Sequence, residues 1–123
     1  MRLTDNELVA VIHLAKAMAA ADGKVESIEL LVIARELSRF GVDSSKANIL
    51  LASSNTMEFS SAIATVSSMS ADNKRYVTAY LGTLMCVDGN VSDSEKALWS
   101  LVSLLCGLPT MSIKEALSIM ASL

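Results

Sequence analysis

Asp22-Gly23-Lys24-Val25-Glu26-Ser27-Ile28-Glu29 returns later in the chain as Asp88-Gly89-Asn90-Val91-Ser92-Asp93-Ser94-Glu95. Both stretches carry the skeleton Asp-Gly-x-Val-x-x-x-Glu, at an offset of 66 (88 − 22) in a chain of 123 residues. The register continues without a gap, because Gly41 falls on Gly107 and each glycine closes the apolar run that follows its motif. An apolar segment also leads into each copy, Leu14 to Ala21 and Tyr80 to Val87. Self-similarity at a fixed offset is the mark of an internal duplication. We expect halves of about 1–54 and 70–123 within a single domain, 1–123.

Working outward from the two motifs, the composition predicts an all-α fold. Hydrophobic residues make up 52% of the chain and aromatic residues only 4%, with one Pro and five Gly. A core of Leu, Ile, Val, Ala and Met with so few chain breakers favours helices. At this length a single domain buries roughly two-thirds of its unfolded surface. Thr4-Asp5-Asn6-Glu7 reads as a capping box that opens helix 1 over about 5–20. This helix is apolar nearly all round, so it belongs at the centre. Helix 2 is expected over about 27–40, with Ile28, Leu31, Val32 and Leu37 inward and Gly41 as its stop. A short helix 3 follows, capped by Asp43 or Ser44. Helix 4, capped by Thr56 over about 57–69, is Ser-rich and expected on the outside. Ser70 caps helix 5, about 71–87. Helix 6, about 93–106, turns Leu98, Leu101, Val102 and Leu105 inward and stops at Gly107. Ser112 and Glu115 form the capping box of helix 7. The expected architecture is therefore a compact bundle of about seven helices. Helices 1-2-3 correspond to 5-6-7, helix 4 is the connector, and helices 1 and 5 lie near the centre.

Several functional classes are disfavoured. The formal charge is −3, and no basic cluster exceeds Lys74-Arg75, whereas nucleic-acid binding needs a concentrated basic face. No apolar run reaches the roughly 18 residues of a membrane span. The N-terminus lacks the basic and apolar regions of a signal peptide. Cys86 and Cys106 have neither metal-ligand nor redox-motif spacing and read as buried reduced thiols, which with the preceding points suggests a cytoplasmic protein. No nucleophile, base and orienting group form a convincing set, and there is no Gly-rich phosphate loop, so no enzymatic activity is expected. The lone histidine, His13, sits on helix 1 and reads as a satisfied core or boundary imidazole.

Six of the thirteen acidic residues, Asp22, Glu26, Glu29, Asp88, Asp93 and Glu95, fall inside the repeated windows. The motif matches the second half of an EF-hand calcium loop. However, the loop's first and third ligand positions hold Met18 and Ala20 in one copy and Leu84 and Cys86 in the other. Calcium requires six to eight oxygens, so an ordinary EF-hand is excluded. The six carboxylates are the candidate metal ligands should the two turns meet. The cation would be divalent, with calcium, magnesium, manganese and zinc not distinguished. The same residues also serve as punctuation: glycines stop helices, Val25 and Val91 plug the core, and Glu29 and Glu95 occupy a helix position where a carboxylate is favoured.

With Ala21 or Val87 in front, the two motifs resemble those of the TerB-like tellurite-resistance family. The resemblance implies a small bacterial all-helical domain with pseudo-twofold symmetry, and acidic turns proposed to bind cations in the response to metal or metalloid stress. Related modules also act in protein interaction beside membrane-anchored co-chaperones. Two readings therefore stand: a cation-binding or cation-sensing stress protein, and a helical interaction module whose acidic turns are only structural. The mean hydropathy of +0.47 suggests exposed apolar surface, as in a homodimer contact or a peripheral association with a membrane-bound partner.

Overall fold

A computed structural model describes residues 3–20, 27–86 and 92–123, with Ile28 described by its backbone alone. Seven α-helices and no strand occur among the described residues: α1 (Asp5–Ala19), α2 (Ser27–Glu36), α3 (Ser44–Ser54), α4 (Phe59–Ser67), α5 (Ala71–Met85), α6 (Asp93–Cys106) and α7 (Ile113–Ala121). The all-α expectation is borne out.

Local chemistry sets most of the helix starts. Thr4 accepts from the Glu7 amide at 3.1 Å while Glu7 accepts from the Thr4 amide at 2.8 Å, closing the capping box of α1. Asp43 caps α3, Ser70 caps α5, and Ser92 and Ser112 open α6 and α7 through boxes with Glu95 and Glu115. Each side chain satisfies an amide that the first turn leaves without a partner. Gly41 and Gly107 both sit at positive φ, 80° and 65°, and close their helices in the same way. The next amide, Val42 or Leu108, donates back to the carbonyl of Leu37 or Ser103. This is the helix-ending geometry that glycine permits without steric cost.

The offset of 66 seen in the sequence also relates element bounds. Asp5–Ala19 falls on Ala71–Met85, and Ser27 and Phe40 fall on Asp93 and Cys106. The correspondence ends at the last helices. Residue 44, the first of α3, would fall on 110, yet α7 begins three residues later at Ile113, because Pro109 follows Gly107 and Ser112 provides the cap.

α1 and α5 form the centre. Eight residues of α1 are buried, among them Val11, Ile12 and Leu14, and so are Val77 to Gly82 and Met85 of α5. α1 packs chiefly on α4 and α3, α5 chiefly on α7, and the two central helices touch each other. α1 also reaches α6, as α5 reaches α2. The expected placement of α4 needs correction. It is not merely an outer connector, since Ala62 and Val66 are wholly buried and the helix packs on both α1 and α6. Its small residues at i and i+4 give the close-packing face that a count of large side chains underrates. Its N-cap is Glu58, without a side-chain bond, while the Thr56 hydroxyl donates to the Ser53 carbonyl instead.

α2 departs from the expectation in two respects. After Glu36 the helix tightens into a 3-10 turn, Leu37–Phe40, and its inward face is rotated by about one residue. Val32 and Leu37 are buried as expected, but Ile33 is buried with them, whereas Leu31 is 65% exposed. Tyr80 of α5, fully buried, donates its hydroxyl proton to the Ile33 carbonyl at 2.7 Å, and its ring lies 5.4 Å from that of Phe40. That bond ties the central helix to the end of α2, where the change of helix type alters the backbone pairing.

Candidate functional site

Of the six candidate metal ligands, Asp22, Glu26 and Asp88 lie outside the described residues. Gly23, Val25, Gly89 and Val91, read above as punctuation and core plugs, lie outside them too. Glu29, Asp93 and Glu95 occupy the first turns of α2 and α6. Glu95 has a structural task. Its amide donates to the Ser92 hydroxyl oxygen at 3.0 Å, and its carboxylate accepts from the Ser92 hydroxyl at 3.1 Å and from the Ser92 amide at 3.4 Å. Asp93, the first residue of α6, is exposed. Among the described residues, no three of His, Cys, Asp and Glu come close enough to hold a metal ion.

The polar residues of α1 serve α3. His13 places Nδ1 3.2 Å from the Ser54 carbonyl, which can only accept, so that nitrogen carries the proton. The Lys16 ammonium donates to the Ser54 hydroxyl at 2.9 Å and to the Asn55 side-chain carbonyl. A cation at the end of α3 meets the negative pole of that helix. Partial burial lowers the Lys16 pKa below its ordinary value. Ser54 is wholly buried and donates to the Leu51 carbonyl, so this cluster ties α1 to the end of α3.

Cys86 and Cys106 are not joined in a disulfide; Cys106 is buried as expected, and Cys86 is only half-buried. Cys86 points its sulfur at the Gly82 carbonyl, 3.6 Å away, and Cys106 at that of Ile63, 3.9 Å away. Burial raises the Cys106 pKa, and the Lys74 charge offsets this only in part. The surroundings of Cys106 therefore do not activate it as a nucleophile.

The conspicuous surface feature lies on α6. Leu101 and Leu105, expected inward, are 47% and 48% exposed, and Leu104 between them is 79% exposed. Val102 and Cys106 are buried, with Leu98 and Trp99 partly so. The helix is therefore apolar around well over half its circumference and can bury only one side of that arc. Apolar spacing alone cannot tell which side, and the inward assignment of Leu101 and Leu105 failed for that reason. The offset of 66 between matching positions contained the missing signal. At the same offset, Leu101, Leu104 and Leu105 correspond to Arg35, Ser38 and Arg39, and all six residues are exposed. One half of the chain places charged and hydroxyl groups at these positions; the other places three leucines.

No protein-family profile matches the chain, and no curated protein matches it. Among solved structures, a protein of unknown function from Porphyromonas gingivalis W83 is 44% identical, with alignment over 100% of this chain and 99% of its own and a TM-score of 0.90. The two chains belong to one family. The family likeness covers the full length of the seven-helix fold. The Porphyromonas relative, being of unknown function, assigns no chemistry to the leucine face or to the acidic helix starts.

Proposed function

We propose that this chain is a non-enzymatic helical interaction protein that engages its partner through the exposed face of α6. The observation that carries this reading is the triad Leu101, Leu104 and Leu105, left in water by a fold that places charged or hydroxyl groups at the corresponding positions of α2 and the turn after it. Exposed leucines contribute little to a core, and clustered ones mark binding surfaces. Replacing them should cost the fold little, within about 0.5 kcal/mol. The double substitution Leu101→Lys/Leu104→Glu is therefore expected to keep the wild-type melting temperature and to abolish binding of a hydrophobic fluorescent probe. Unchanged probe binding would remove α6 from consideration.

A second reading follows from the repeat. The TerB-like resemblance and the equivalent starts of α2 and α6 support a duplicated acidic turn that binds or senses a divalent cation in a stress response. Asp22, Glu26, Glu29, Asp88, Asp93 and Glu95 would be the ligands. An amide NMR titration with calcium, magnesium, manganese and zinc tests it on the wild type and on Asp22→Asn/Asp88→Asn. Saturable shifts confined to 23–29 and 89–95, absent in the variant, are the expected result for a cation site. No shift at millimolar ion would leave the motif as helix punctuation.

A further inference from the structure

The positions that carry leucines on α6 carry Arg35, Ser38 and Arg39, at the same offset, on α2 and its 3-10 turn. There they border an open cavity of about 430 Å³, lined by these three residues together with Glu36 and Leu123. We propose that this cavity binds a small oxyanion, the carboxylate or phosphate group of a small molecule, through the guanidinium groups of Arg35 and Arg39 and the hydroxyl of Ser38.

Arg39 is prepared for such a ligand. Its Nε donates to Glu36 Oε2 at 2.6 Å, and its Nη1 donates to the Met120 carbonyl at 3.1 Å. The planar group is thus held on two sides, while its Nη2 donors have no partner among the described residues. The Glu36 side chain that fixes it is only 12% exposed, so the pair has little freedom left to lose when an anion arrives. Arg35 differs. Its side chain is largely exposed, and its Nη2 lies 3.8 Å from Glu36 Oε1, beyond hydrogen-bond reach. Its fork can therefore swing onto an anion already placed by Arg39, and a guanidinium pairs two oxygens of a carboxylate or phosphate at once. The exposed Ser38 hydroxyl adds a neutral donor.

The charges favour an anion as well. Two guanidiniums border the cavity with one carboxylate side chain, in a molecule of net charge −3. Among the described residues, Glu36 is the only acid paired with either arginine, and the Leu123 carboxylate pairs with neither. The bond from Arg39 to Met120 also offsets the negative pole at the end of α7, which would otherwise oppose an anion. Packing does not dictate charge at these positions, since α6 fills the corresponding ones with leucine. The volume lies in the range of small-ligand pockets. Because the cavity is open to water, the expected dissociation constant is on the order of 1 mM.

An NMR titration of the full chain tests the site, with sodium phosphate in one series and sodium succinate in another. Sodium chloride holds the ionic strength at about 0.1 M, so that general screening stays constant. Saturable shifts of the Arg35 and Arg39 Nε–H signals and of the Ser38 amide are expected, with a shared midpoint. Arg35→Gln should keep the wild-type melting temperature and weaken binding about tenfold. Arg35→Lys, which keeps the charge and loses the fork, should fall between the two. Arg75→Gln removes an equal charge from α5 and should bind as wild type. Saturation with phosphate alone assigns the site to phosphate-bearing ligands, and with succinate alone to carboxylates. Shifts that rise without saturating for both ions overturn the proposal, as does binding that survives Arg35→Gln unchanged. Neither result bears on the leucine face of α6, which its own probe reports.

Discussion

Gly82 and Lys16 lie at the same offset of 66 on the two central helices, in different surroundings. Lys16 reaches across to the end of α3, whereas Gly82 has no room for a side chain. A Cβ added there would lie 2.9 Å from both the Ala116 Cβ and the Trp99 ring. The ring and the α7 backbone would have to move, so Gly82→Ala should cost about 1–3 kcal/mol, the usual price of overpacking. Urea unfolding, followed by far-UV circular dichroism, measures it. Tyr80→Phe removes one hydroxyl and leaves the buried Ile33 carbonyl without that partner. A loss of about 1–3 kcal/mol is expected for a buried acceptor deprived of its donor. A neutral result would mean that the carbonyl finds another donor when α2 relaxes.

Glu95 belongs to the scale of elements, because its role is to start a helix. Ser92→Ala should cost about 1 kcal/mol by removing one side of the capping box. Glu95→Gln should be nearly neutral for stability, since an amide oxygen also accepts from the Ser92 amide and hydroxyl. The same change would weaken any divalent-cation affinity, which separates the structural role from the ligand role. Sequence reading worked best for such elements. Helix starts are written in adjacent residues, Thr4 with Glu7 or Ser92 with Glu95, and the helix ends in single glycines, Gly41 and Gly107. It worked less well wherever the third dimension decides. The 3-10 turn after Glu36 ends where Phe40 meets Tyr80 across the core, a contact separated by 40 residues in the sequence. The rotation that buries Ile33 and exposes Leu31 changes nothing in the apolar spacing of α2. The outward leucines of α6 and the buried small-residue face of α4 were missed for the same reason, since periodicity records how apolar a helix is and not what lies opposite.

At the scale of the molecule, buried titratable groups set the response to alkali. Burial, with a smaller contribution from the Glu36 charge, raises the Tyr80 pKa well above its ordinary value of 10.0, and burial also raises that of Cys106 from 9.0. The unfolded chain loses these protons first, so above about pH 9 the folded state holds more protons and stability falls as pH rises. Lys16 acts in the opposite direction. With its folded pKa lowered, the unfolded chain holds the extra proton, and stability would rise with pH just below 10.5. Tyr80, wholly buried, outweighs the only partly buried Lys16, so net alkaline destabilisation is the expected outcome. Melting curves from pH 8 to 11 (roughly the span over which these groups titrate) should shift downward, and Tyr80→Phe should flatten the upper part of the profile. The close approach at Gly82 has a further consequence, for the order in which the molecule opens. Trp99 of α6 and Ala116 of α7 converge on one residue of α5, so none of these three helices can swing away without vacating the same contact. Native-state hydrogen exchange should therefore find their slowest amides sharing a single opening free energy, as one cooperative unit. α3 packs on α1 and α2, outside that junction, and its amides are expected to exchange by a separate route. The chain's single tryptophan stands at that three-helix junction, and its fluorescence reports when the unit comes apart.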